Sequence, residues 1–232
     1  MARIARVAVP GYCYHVTHRG NRRSRIFFEE EDREVYCAWL KKYCERYGLN
    51  VWCWCLMTNH VHLIVEPQEE LSLSRALGHG HGKYAQWVNA RYGLSGHLWS
   101  GRFFSTALDR DHLWAAVRYV ELNPVRAAMV PRAEDWAWSS AAAHVAGGSD
   151  LLLSAGGPLI HFGGDWSAWL ARGIDDATLH RLRVATATGR PCGDEIFVKT
   201  FEEKLNRLLQ PQKPGPKPVA ASSDDALQES FL

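Results

Sequence analysis

The sequence predicts an α+β fold built on one antiparallel sheet. Three observations carry this expectation. Four short segments are rich in β-branched and aromatic residues, and each fits a half-buried strand. Two longer stretches of helical spacing separate them in the order strand–helix–strand–strand–helix–strand. The middle two strands are joined by only Thr58-Asn59, and so short a link can connect antiparallel strands alone.

The elements follow in order. Residues 12–18, Tyr-Cys-Tyr-His-Val-Thr-His, form the first strand, and the basic loop Arg19-Gly-Asn-Arg-Arg-Ser-Arg25 comes after it. A helix is expected over 31–47, with Val35, Ala38, Trp39 and Tyr43 as its apolar face and Gly48 as its cap. Strands over 51–57 and from His60 to Pro67 follow. Residues 71–92 are helical in character, weakened by Gly78, Gly80 and Gly82. A glycine-punctuated loop (93–101), a strand (102–108) and a short helix from Asp111 to about Leu122, stopped by Pro124, complete the core. This order is the ferredoxin-like split βαβ pattern, an antiparallel sheet with helices on one face.

That core occupies roughly residues 8–130 within a first domain of 1–130. A loop-rich connector (131–164) and a small helical C-terminal appendage (165–210) follow, the latter with helices over 166–172, 177–185 and 195–209. The Pro- and Ser-rich tail, 211–232, cannot bury enough surface to order itself. No apolar run approaches the ~20 residues of a membrane span, and no signal segment opens the chain, so a cytoplasmic location is expected. The six cysteines read as reduced, mostly buried small hydrophobes; Cys53 and Cys55 share a strand face but lack a second pair for zinc. A formal charge of +2 hides a local basic cluster near the N-terminus, which matters more for nucleic acid than the net value.

The segment Met57-Thr-Asn-His-Val-His-Leu-Ile-Val65 carries the strongest chemical signal. Alternate strand side chains share a face, so His60 and His62 project together while Val61, Leu63 and Val65 face a core. Two adjacent imidazoles make half of a metal site; they can equally be a hydrogen-bonded surface or core pair. In Arg118-Tyr-Val-Glu-Leu-Asn-Pro124, Tyr119 and Asn123 lie four apart on one helix face. A carboxamide oxygen from Asn123 with two imidazoles suits Mg²⁺ or Mn²⁺ with open positions. Glu121 is a second oxygen donor, but two residues from Tyr119 it faces elsewhere. A tyrosine beside such a cation suggests covalent attack on a phosphodiester, which conserves bond energy for rejoining; packing is the alternative role. His79-Gly-His81 repeats the spacing without a strand and reads as loop or helix surface.

Four blocks occur in order: Tyr14-His-Val-Thr-His-Arg-Gly-Asn-Arg-Arg23, Met57 to Val65, Gly96-His-Leu-Trp-Ser-Gly-Arg102 and Arg118-Tyr-Val-Glu-Leu-Asn-Pro-Val-Arg-Ala127. Together they resemble the single-tyrosine HUH (His-hydrophobic-His) transposases, in particular the REP-associated tyrosine transposases, over about residues 8–140. Thr188-Gly-Arg-Pro-Cys-Gly193 is similar to a C-terminal motif of that family. The resemblance implies a ferredoxin-like nuclease acting on single-stranded DNA with Mg²⁺ or Mn²⁺, with Tyr119 as nucleophile and His60 and His62 as metal ligands. Mobile relatives usually carry glutamine where this chain has Asn123, as the REP-associated branch tends to.

On this reading the DNA-binding candidates are Arg19, Asn21, Arg22, Arg23 and Arg25 in the basic loop, with Lys83, Arg102 and Arg190. The loop can clamp phosphates, Asn21 can read a base edge, and Arg190 can enter a minor groove or simply sit in an exposed turn. The expected function is a nickase and strand transferase at hairpin repeats, through a covalent 5′-phosphotyrosine. The competing functions are a non-catalytic hairpin-binding protein and a metallohydrolase using activated water. A monomer or a homodimer is compatible with the sequence.

Overall fold

The computed structural model describes residues 8–159 and 162–210. The expected disordered tail, 211–232, lies outside the described residues. The strands are β1 (Tyr14–Arg19), β2 (Leu49–Leu56), β3 (His60–Pro67) and β4 (Phe104–Ala107), arranged β2-β3-β1-β4 with every pairing antiparallel. Helix α1 (Glu30–Tyr47) links β1 to β2, and α2 (Ser72–Tyr92) links β3 to β4. This is the expected ferredoxin-like arrangement.

Strand alternation sorts the side chains into two cores. Tyr14, Val16, Val61, Leu63 and Val65 face α1 and α2. Cys53, Cys55 and Ile64 face the other way, beneath α3 (Arg110–Glu121). The two crossover helices thus share one face, as the pattern requires, and α3 adds a layer on the other.

Helix α1 begins in a capping box between Glu29 and Asp32 and ends on Gly48, whose φ of 61° a side chain would disfavour. Helix α2 runs unbroken through its three glycines. Its buried face, Leu73, Ala76, Leu77, Tyr84 and Val88, packs into the core and outweighs their weak propensity, and at Gly80 a Cβ would meet the Leu40 Cα at 3.6 Å, an ordinary contact distance. His81 corrects the surface reading of the second histidine pair. It is buried, with Nδ1 2.8 Å from His18 Nδ1 and Nε2 3.0 Å from the Tyr36 hydroxyl, while His79 stays exposed against Tyr43 and Tyr47.

Helix α3 stops at Glu121, as expected ahead of Pro124, but the proline opens a further short helix. It occupies the first turn of α4 (Asn123–Arg126), where a missing N–H costs nothing. The remaining helices are α5 (Ala141–Ala146), α6 (Trp166–Ala171), α7 (Asp176–Thr188) and α8 (Glu195–Leu205). The segment after α4 is more ordered than a loop, because Trp138 and Ser140 exchange backbone hydrogen bonds with Leu56 and Trp54 of β2. Cys192 pairs with Leu108 beyond β4, so residues after α7 are stitched to the sheet as well.

Candidate active site

The polar face of β3 builds the centre. His60 and His62 project together, with ring centroids 5.0 Å apart. The antiparallel register sets His62 opposite Thr17 and His60 opposite Arg19, and this brings His15, two residues along β1, onto the same face. His15 and His62 stack with rings 5° from parallel, and His15 Nε2 lies 2.9 Å from His62 Nδ1. His15 Nδ1 in turn lies 3.0 Å from Thr186 Oγ1 on α7. His60 Nδ1 lies 2.7 Å from Asn59 Oδ1.

Burial keeps these rings neutral. It pushes the His15 pKa down to about 3 with help from Arg126, and the His60 pKa down to about 4 with help from Arg19. His62 is lowered well below its usual value by burial, then by His15, His60 and the two arginines. Neutral imidazoles are the form that binds metal. Both candidate ligands spend Nδ1 on a protein partner and keep Nε2 for another use. Among the described residues, no group of three His, Cys, Asp or Glu side chains is arranged to hold an ion.

Helix α3 delivers the tyrosine. The half-buried Tyr119 ring sits edge-on to His62, 5.4 Å between centroids, and edge-on to His15 at 5.6 Å. The Arg126 guanidinium lies over the Tyr119 ring, 4.3 Å from its centroid. Arg126 Nη2 also donates to the Tyr119 carbonyl and to Asn123 Oδ1, at 2.9 and 2.8 Å. Asn123 Nδ2 donates to the Tyr119 carbonyl at 3.1 Å. The carboxamide oxygen expected to be a third ligand is therefore engaged by a cation in this arrangement. Glu121 faces away from Tyr119, fully buried, and accepts from Ser140 Oγ and Trp166 Nε1 with His144 Nδ1 2.6 Å away.

The basic loop lies next to this centre. Arg19, Asn21, Arg22, Arg23 and Arg25 are all exposed. Arg22 and Arg23 hold φ values of 51° and 62°, a left-handed pair that residues with side chains adopt at a cost. The loop is pinned where Asn59 Nδ2 donates to the Arg23 carbonyl and Asn21 N–H to the Leu98 carbonyl. Lys83 and Arg102 are exposed on α2 and on the loop before β4, on the α1/α2 side of the sheet. Arg190 is half-buried, and its Nε donates to the Leu209 carbonyl at 2.9 Å, so that guanidinium helps to tie the segment after α8.

Three residues of the centre were not foreseen. His15 was visible only as an alternating strand residue, and its partner became clear from the register. Thr186, 171 positions away from His15, gave no local signal. Arg126 lies one helical turn past Asn123, but Pro124 made a continued helix unexpected.

Residues 8–123 match the family described as Transposase IS200 like. No protein of curated function matches the chain. Among solved structures, one described as a REP-associated tyrosine transposase bound to a REP hairpin aligns at a TM-score of 0.55 and 21% identity. It covers 71% of this chain and 97% of that one. A putative transposase from Deinococcus radiodurans aligns at 0.36 and 19% identity, over 51% of this chain and 95% of its own.

Proposed function

Since the chain belongs to the IS200-like transposases, a family of enzymes, we propose that it nicks and rejoins single-stranded DNA through Tyr119. The observation that carries this reading is the 5.4 Å between the Tyr119 and His62 ring centroids, a phenol beside a paired imidazole face.

His60 and His62 would hold Mg²⁺ or Mn²⁺ through their Nε2 atoms, and Asn123 would join them on releasing Arg126. A bound divalent ion would neutralise phosphate charge and make the phosphorus more open to attack. The chain's own residues do the rest. Tyr119 gives up its phenolic proton to solvent and its oxygen bonds to phosphorus; the bond from phosphorus to the 3′-oxygen breaks, that oxygen takes a proton from solvent, and the 5′-phosphate stays on the tyrosine. Arg126, over the ring, stabilises negative charge on the attacking phenol. The basic loop, held beside β3 by Asn59, would grip the phosphates of the incoming strand. A hairpin with flanking single-stranded bases is the proposed substrate. The structurally similar REP-associated transposase was solved bound to a REP hairpin, and the exposed arginines here would suit a hairpin's backbone.

The test is incubation with Mn²⁺ and a panel of 3′-labelled hairpins bearing varied single-stranded flanks. A labelled band shifted to the size of a protein–DNA adduct on a denaturing gel is expected, and Tyr119→Phe should remove it while hairpin binding stays within about two-fold. Binding without cleavage on every hairpin would favour a pure binder. Cleavage without an adduct would favour activated water.

A further inference from the structure

We propose that Thr186 on α7, acting through His15, sets the tautomer of His62 and so keeps its Nε2 free to bind a cation. Both would be positioning residues, and the inference rests on the metal-ligand reading of His60 and His62.

The argument is a count of hydrogens along a buried chain. Thr186 has one hydroxyl hydrogen, and it is donated to the Leu182 carbonyl at 2.8 Å within α7. Toward His15, 3.0 Å away, Thr186 Oγ1 must then accept, which assigns the His15 hydrogen to Nδ1. A neutral His15 has only one ring hydrogen, so its Nε2 is a bare acceptor. Across the 2.9 Å contact His62 must donate from Nδ1, and its own hydrogen is thereby used. The lone pair is left on His62 Nε2. His15, His62 and Thr186 are all buried, so water does not replace a missing partner in the chain.

His60 reaches the same tautomer independently. Asn59 Nδ2 donates to the Arg23 carbonyl at 2.9 Å, which orients the amide so that Oδ1 faces His60 Nδ1. His60 therefore carries its hydrogen on Nδ1 and keeps Nε2 bare. The two rings are set by different elements, the basic loop for His60 and a C-terminal helix for His62. Ligand histidines generally need such an outer partner, and its loss weakens metal affinity by roughly 10–100-fold.

Removing the acceptor reverses the chain. In Thr186→Val, His15 would hold a buried N–H with no partner, and moving its hydrogen to Nε2 is cheaper. His15 would then donate to His62 Nδ1, and the His62 hydrogen would move to Nε2, blocking that atom.

Two measurements test this. Long-range ¹H–¹⁵N correlation spectra of the metal-free protein should show His62 protonated on Nδ1 in the wild type and in Thr186→Ser, and on Nε2 in Thr186→Val. Mn²⁺ titration followed by electron paramagnetic resonance should show affinity falling at least ten-fold in Thr186→Val alone, with His60 unchanged in its tautomer. A wild-type His62 protonated on Nε2, or a folded Thr186→Val with unchanged tautomer and unchanged Mn²⁺ affinity, would overturn the proposal. If the wild type binds no Mn²⁺ at all, the metal-ligand reading fails, and the spectra still report whether Thr186 sets the tautomer.

Discussion

The Arg126 guanidinium holds the Asn123 carboxamide oxygen and covers the Tyr119 ring, and these contacts act on catalysis in opposite directions. Its charge repels a divalent ion at His62 and occupies an oxygen that could serve that ion, yet it favours negative charge on the phenol. Arg126→Ala should therefore bind Mn²⁺ more tightly while forming the adduct more slowly. The residue reaches solvent, although burial of the guanidinium lowers its pKa, so the partly screened charge effect is about 1 kcal/mol, or roughly five-fold in affinity. Calorimetric Mn²⁺ titration beside a single-turnover adduct assay separates the two; a loss of both, or weaker Mn²⁺ binding, would contradict the opposition. At this scale the sequence was readable where one local period governs. His60 and His62 follow from strand alternation, and Tyr119 with Asn123 from helix spacing. His15, Thr186 and the Arg126 contact depend on register and on chain returning from far away, which no local period encodes.

Helix α3 carries Tyr119 toward the histidines on one face and is anchored by Glu121 on the other. The Glu121 carboxylate is fully buried and receives Ser140, Trp166 and His144, so the helix that presents the tyrosine is held by the segment after α4 and by α6. Glu121→Ala would leave those groups without an acceptor in a dry setting. It should lower stability by about 3 kcal/mol, as loss of one member of a buried pair does, whereas Ser140→Ala should cost about 1. Urea unfolding of both variants gives the comparison, and a Glu121→Ala cost under about 1 kcal/mol would remove the anchor from the account. The facing of Glu121 away from Tyr119 was legible from helical geometry. Its burial was not, because the partners lie 19 to 45 residues downstream in a stretch whose glycines suggested loop. Glycine misled in α2 too, where burial of Leu73, Ala76, Leu77, Tyr84 and Val88 in the core outweighs weak propensity.

Across the whole molecule, the centre draws on β1, β3, α3 and α7, and a single chain supplies all four. The order of strands and the two crossover helices could be read from the sequence, since a split βαβ core is specified by local patterns and one short connection. The reach of α7 back to β1 could not, because an apparently separate C-terminal segment is tied in by few contacts of long range. This layout bears on how the enzyme would work in solution. Tyr119 stands beside His62 of its own chain, so one protomer has the phenol and both imidazoles without borrowing from a second copy. A mixture of Tyr119→Phe with the double variant His60→Ala/His62→Ala therefore should form no more adduct than either protein alone. If tyrosine were donated across a dimer, mixed pairs would restore one working site, and adduct would rise well above background as the proteins exchange subunits. Size-exclusion of the active wild type, run at the assay concentration, decides whether exchange was possible: recovery of adduct in the mixture would refute action within one chain, and its absence with a dimer that demonstrably exchanges would establish it.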